Sequence, residues 1–105
     1  MRERVDTYPG MKLQILDFTA AWCGPCKQLK PVLTALSTEY KADLVEIDVD
    51  VDPTQAQLYN VRAMPTVVLL RDGKEVGRFV GARNRAFVSG MLDRALNGDV
   101  AIASP

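Results

Sequence analysis

A short apolar run, Leu13-Gln14-Ile15-Leu16-Asp17-Phe18, leads after four residues into a helix whose first turn reads Cys23-Gly24-Pro25-Cys26. Such a run fits a strand buried on both faces, as in a parallel sheet. Pro25 suits a first helical turn, where its missing N–H leaves no bond unmade. Leu29, Val32, Leu33 and Leu36 then recur at helical spacing and form one apolar stripe. Pro31 falls inside that stripe and is expected to remove one hydrogen bond and kink the axis.

The alternation continues. Residues 44–49 read as a second strand, 53–59 as a short helix, and 66–70, strongly β-branched, as a third strand. Arg71-Asp72-Gly73-Lys74 supplies an Asp-Gly hairpin turn, so residues 75–80 are expected to pair back antiparallel. Phe87, Val88, Met91, Leu92, Ala95 and Leu96 mark a last amphipathic helix ending near Gly98. Strands alternating with helices favour parallel pairing through right-handed crossovers, and the hairpin adds an antiparallel edge. The expected class is α/β, a mixed central sheet of about four strands flanked by helices. Residues 1–12, which include Pro9-Gly10, carry no clear period, and residues 99–105 read as a frayed tail. With no repeat or interior linker, the 105 residues are expected to form a single domain.

Charge and composition exclude several functions. Lysine plus arginine equals aspartate plus glutamate, 13 against 13, so no overall field draws the chain to nucleic acid or to an anionic membrane. No stretch approaches the roughly 18 apolar residues of a membrane span. Met1-Arg2-Glu3-Arg4-Val5-Asp6 carries acids and leads into no apolar h-region, so a cytoplasmic protein is expected. Histidine is absent, which removes histidine triads, histidine metal ligands and a histidine pH switch. Two cysteines cannot fill a tetrahedral zinc site without a partner chain, and no metal is expected. Asp48, Asp50 and Asp52 alternate with valines and allow either a calcium or magnesium site or, the ordinary case, a solvated acidic strand end.

The Cys-x-x-Cys spacing at a helix start brings two sulfurs within bonding reach while closing only a small ring. Such a bond opens and closes without moving a core, unlike a bridge between distant segments. Unpaired N–H groups and the macrodipole favour an anion at that end, so the Cys23 thiolate is stabilised and its sulfur is expected to be accessible. Cys26, one turn inward, is expected to be more buried and to act as the resolving thiol. A purely structural cysteine pair and half of a zinc site shared by two chains are the competing readings. Asp17 shares a strand face with Leu13 and Ile15. It is either a buried carboxyl, protonated at neutral pH and able to exchange a proton with Cys26, or a strand-end aspartate facing solvent. Trp22 suits packing or a substrate surface equally, and Lys27 is either a local positive charge or a solvated lysine.

Trp22-Cys23-Gly24-Pro25-Cys26-Lys27 resembles the active-site motif of the thioredoxin family. Asp17-Phe18 precedes it at the family's spacing, Met64-Pro65-Thr66 resembles the family's cis-proline segment, and Val80-Gly81-Ala82 its glycine loop. The likeness runs from about residue 13 to residue 96. It implies the thioredoxin fold and a protein-disulfide reductase with Cys23 as nucleophile, Cys26 as resolving thiol and Asp17 as their proton partner. The family's nucleophilic thiol lies near about 7 rather than the about 8.5 of free cysteine. The resemblance further implies a cis Met64–Pro65 bond and a substrate surface of Trp22, Gly24, Pro25, Met64, Pro65 and Gly81. It implies no cofactor beyond the redox-active Cys23–Cys26 disulfide. The partners would be protein disulfides and a thioredoxin reductase or other dithiol donor, acting on a monomer. Gly24-Pro25 between the cysteines is similar to the reducing members, since oxidants and isomerases place a histidine there.

Two features depart from the family. Only about a dozen residues precede Leu13, too few for the usual strand plus helix, so a shortened N-terminal element and a partly uncovered sheet face are expected. Glu46 stands where some relatives carry a lysine near the buried aspartate, and a carboxylate there would push Asp17 upward. The short N-terminus also keeps open a binding module or scaffold subunit whose thiols are incidental.

Overall fold

The computed structural model describes residues 11–97 and the backbone of 101 and 102. The N-terminal element expected before residue 11 and the helix stop at Gly98 lie outside the described residues. Strand β1 is Leu13–Thr19, helix α1 Gly24–Tyr40, strand β2 Asp43–Asp48, helix α2 Pro53–Leu58, strand β3 Thr66–Arg71, strand β4 Lys74–Val80 and helix α3 Arg85–Leu96. Ala101–Ile102 forms β5, so part of the tail expected to fray instead pairs with β4. The sheet order is β2-β1-β3-β4-β5.

β1 and β2 run parallel, as expected, but β3 runs antiparallel to β1 as well as to β4. The connection over residues 49–65, which contains α2, returns the chain to the end of the sheet where β2 left it, with Thr66 opposite Phe18, so β3 starts beside the end of β1 and runs back along it. The hairpin turn forms as its sequence predicts, with Asp72 at φ 52° and Gly73 at φ 83°.

The side chains of β1 alternate between two cores. Leu13 and Ile15 join Val67, Leu69, Phe79 and the stripes of α1 and α3 in the larger one. Leu16 and Phe18 join Val68, Leu70 and Ala56 of α2 on the other face, where the Phe18 and Tyr59 rings meet at 5.7 Å between centroids. That second face is the less covered one among the described residues. A groove of about 590 Å³ runs over Leu16, Val45, Ile47 and Leu70. α1 continues through Pro31 and ends on Lys41 in the left-handed region, with Lys41 and Ala42 N–H groups donating to the Thr38 and Ser37 carbonyls.

Candidate active site

The reversal at β3 brings the end of β1, the start of β3 and the end of β4 to one edge of the sheet. The Cys23 N–H donates to the Ala20 carbonyl at 3.1 Å, closing the turn between β1 and α1. Cys23 then caps α1. Its backbone is extended, at φ −90° and ψ 108°, and its Sγ accepts the Cys26 N–H at 3.2 Å. No acidic side chain occupies the first turn, so an anionic sulfur meets no competitor for the positive end of the helix. Cys23 and Cys26 are joined as a disulfide with their Cα atoms 5.3 Å apart.

The Met64–Pro65 bond is cis. Met64 packs against the cluster of Ala20, Cys23 and Cys26, while Pro65 is buried. The Gly81 N–H donates to the Pro65 carbonyl at 2.8 Å, and Gly81 holds φ 92°, a conformation side chains disfavour. Thr66 Oγ1 donates to the Ala63 carbonyl at 2.6 Å and fixes the approach to the cis bond. Gly24 and Pro25 are exposed beside the disulfide. The segments singled out by sequence around residues 22–26, 64–65 and 81 thus converge.

The expected contrast between the two sulfurs needs correcting. Cys23 is 3% exposed and Cys26 2%, so neither residue stands open in the oxidised form. Each sulfur covers the other, and Ala20, Met64 and Val49 close around them. Trp22 is the exposed group, at 67%, and its indole N–H donates to Asp50 Oδ2 at 2.8 Å. Asp50 was not legible as a partner of Trp22, because 28 residues separate them and the link depends on how the end of β2 turns. The neighbouring acids are also engaged with donors: Asp48 Oδ1 accepts the Asp50 N–H at 2.9 Å, and Asp52 caps α2.

Asp17 is buried, at 1% exposed, and its Oδ1 has no hydrogen-bond partner among the described residues. Burial, and secondarily the charge of Glu46, raise its pKa from 3.8 to about 6, against a lowering pull from Lys30. The upward push by Glu46 is the one anticipated from sequence. The upward shift by burial has the direction that the sequence reading expected for a buried carboxyl. Lys30, in a stripe read only for its apolar residues, is the charge that sequence reasoning missed. Its Nζ lies 3.4 Å from Glu46 Oε2. Among the described residues no cluster of three metal-ligating side chains occurs, and no helix is long and apolar enough to cross a membrane.

A family model described as Thioredoxin matches residues 3–94. A thioredoxin of Staphylococcus aureus is 41% identical over 86 residues, covering 80% of this chain and 83% of its own. The X-ray structure of Fasciola hepatica thioredoxin superposes with a TM-score of 0.73 at 42% identity, covering 79% of this chain and 80% of that one. The oxidised mitochondrial thioredoxin 3 of Saccharomyces cerevisiae gives 0.71 at 42% identity, over 78% of each chain.

Proposed function

The chain belongs to the thioredoxin family and is a thiol–disulfide oxidoreductase, and on that premise we propose that Cys23 is its nucleophile, Cys26 its resolving thiol and Asp17 the proton acceptor between them. In the reduced protein the Cys23 thiolate attacks one sulfur of a substrate disulfide. A bond forms from Cys23 to that sulfur, and the other substrate sulfur leaves as a thiolate. Asp17 then takes the proton of Cys26, and the Cys26 thiolate attacks Cys23. The Cys23–Cys26 bond forms, the mixed disulfide breaks, and the second substrate sulfur leaves and is protonated. Two electrons pass from the cysteine pair to the substrate, and a dithiol donor returns them.

The observation that carries this reading is Cys23 at the cap of α1, its sulfur already accepting a helix N–H and bonded to Cys26. A thiolate at the same position keeps that donor and the helix field. Asp17 is supported by its burial, its open Oδ1 and the reach of the Lys30 charge on α1 to it. The exposed ring of Trp22, with Gly24, Pro25 and Gly81, supports an apolar rim for substrate. The Met64 backbone, next to the cis bond, suits hydrogen bonding to an extended substrate segment. The full 105 residues act as one domain, a monomer without a further cofactor, in a reducing compartment such as the cytoplasm, recharged by a thioredoxin reductase or other dithiol.

Reduction of insulin disulfides with dithiothreitol as donor tests this. Cys23→Ser is expected to lose the activity entirely. A Cys23→Ser, Cys26→Ser double variant that keeps full biological function would show instead that the fold serves as a scaffold.

A further inference from the structure

The chain leaves β4 at Val80 and crosses to α3 through Gly81, Ala82, Arg83 and Asn84. Two contacts fix the Arg83 side chain in that crossing. Its Nε donates to the Val80 carbonyl at 3.3 Å, and its guanidinium stands over the Phe87 ring, 4.6 Å from the centroid. A planar guanidinium that is stacked on a ring and bonded at Nε has little freedom left to lose on meeting a ligand. The Val80 carbonyl and the Gly81 N–H share one peptide unit, and that N–H donates to the Pro65 carbonyl at 2.8 Å. These links hold Arg83 Nε within about 8 Å of the carbonyl of the cis proline. A substrate segment paired with Met64 lies one strand spacing away, inside the roughly 8–10 Å over which charges are felt at moderate salt.

The charges on this flank have one sign. Residues 60–66 and 80–88 contain no acid. Arg85 is taken up by Glu39, while Arg62, two residues before Met64, is exposed. Among the described residues no carboxylate pairs with Arg83, and its Nη groups meet no acceptor. The side chain is only partly buried, so the forked end faces water. The acids of the site sit on the opposite flank. Asp50 holds the Trp22 indole, and Asp48 and Asp52 belong to the same turn after β2, with β1 and β3 standing between that turn and the end of β4. The rim around the cysteine pair is therefore cationic on the Gly81 side and anionic on the Trp22 side.

We propose that Arg83 is a specificity-determining residue, favouring protein disulfides that carry an aspartate or glutamate near the attacked cysteine, on the side facing Gly81. The inference rests on the reading of Cys23 as nucleophile and of Met64, Pro65 and Gly81 as substrate surface. With Nε already bonded to Val80, the two Nη groups remain to hold a carboxylate through two parallel N–H bonds. The acids after β2 repel that same carboxylate, so its position in the substrate decides, and not the substrate's total charge.

The test mixes the reduced full-length protein with symmetrical disulfides of single-cysteine peptides and measures the rate constant of its oxidation. The peptides carry Ala, Glu or Lys two residues before the cysteine, or two residues after it, in otherwise neutral sequences. At low ionic strength the Glu peptide is expected to react about 3-fold faster than the Ala peptide, and the Lys peptide about 3-fold slower, at one of the two positions only. High salt should bring the three rates together. Arg83→Gln is expected to cut the Glu-to-Lys ratio about 3-fold, and Arg83→Glu to invert the order at that position. Each ratio is taken within one variant, so a change in the folded fraction cancels, and an arginine that only packs against Phe87 gives no inversion. A Glu-to-Lys ratio unchanged in both Arg83 variants, with the Ala peptide still reduced through Cys23, would overturn this inference alone. Oxidation by the Ala peptide at the wild-type rate in Cys23→Ser would overturn the reading of the site, and the inference with it.

Discussion

At its C-terminal end α1 is held by groups that all find partners. Tyr40 is fully buried, and its hydroxyl meets Ser89 Oγ at 2.8 Å and Asp93 Oδ1 at 2.7 Å. Glu39 pairs with Arg85, and Leu33 and Leu36 are sealed in the larger core. The N-terminal end of the same helix is arranged the other way. It caps itself with a sulfur instead of an oxygen and carries a half-exposed ion pair whose charges reach a buried carboxyl with an open oxygen. Packing fixes the direction of the axis at one end, and the energy left unsatisfied at the other is available to chemistry. Buried polar groups without partners are costly, and in folded proteins they are rare enough that this one points to a role.

This comparison can be broken by substitutions at each end. Leu33→Ala removes a fully buried side chain from the packed end and is expected to cost about 3–4 kcal/mol of stability. Its activity per folded molecule should stay near wild type, measured by denaturant unfolding beside turnover. A comparable loss of turnover in the folded fraction would show that the two ends are not separable. Asp17→Asn, at the reactive end, is expected to act in the opposite direction. The folded-state pKa of Asp17 is raised from 3.8 to about 6. Its neutral form is therefore the compatible one, and the stability it permits is complete below about pH 4 and lost as pH rises through about 6. An uncharged asparagine escapes that loss. The oxidised variant should gain roughly 3 kcal/mol over wild type above pH 7, at 1.36 kcal/mol per unit, and nothing at pH 4. A constant difference across that range would remove the buried charge from the account.

Much of the architecture was legible because local signals agreed with one another. The Leu29, Leu33 and Leu36 stripe, the Asp72-Gly73 turn and the apolar runs of β1 and β3 each follow from short-range rules, and the structure repeats them within a residue or two. Strand direction was not legible for β3, since it depends on which end of the sheet the connection over residues 49–65 returns to. The short β5 was hidden in a segment with no strand pattern, and its pairing with Gly77 and Arg78 is a long-range event. At the site, the cysteines were legible from their spacing at a helix start, whereas the cis bond and the glycine at residue 81 were reached through the family likeness, because no local rule marks a proline as cis. The closure around Cys23, the Asp50 anchor of Trp22 and the reach of Lys30 to Glu46 escaped because each joins elements distant in sequence.

The division of labour between the two sulfurs is the claim on which the rest depends. Mass spectrometry of protein incubated with a peptide disulfide measures it directly. Cys26→Ser should accumulate a covalent adduct at Cys23, because the first attack proceeds and the second cannot. Cys23→Ser should accumulate none on the same timescale. An adduct at Cys26 in Cys23→Ser, formed as fast as the Cys23 adduct in Cys26→Ser, would contradict the account.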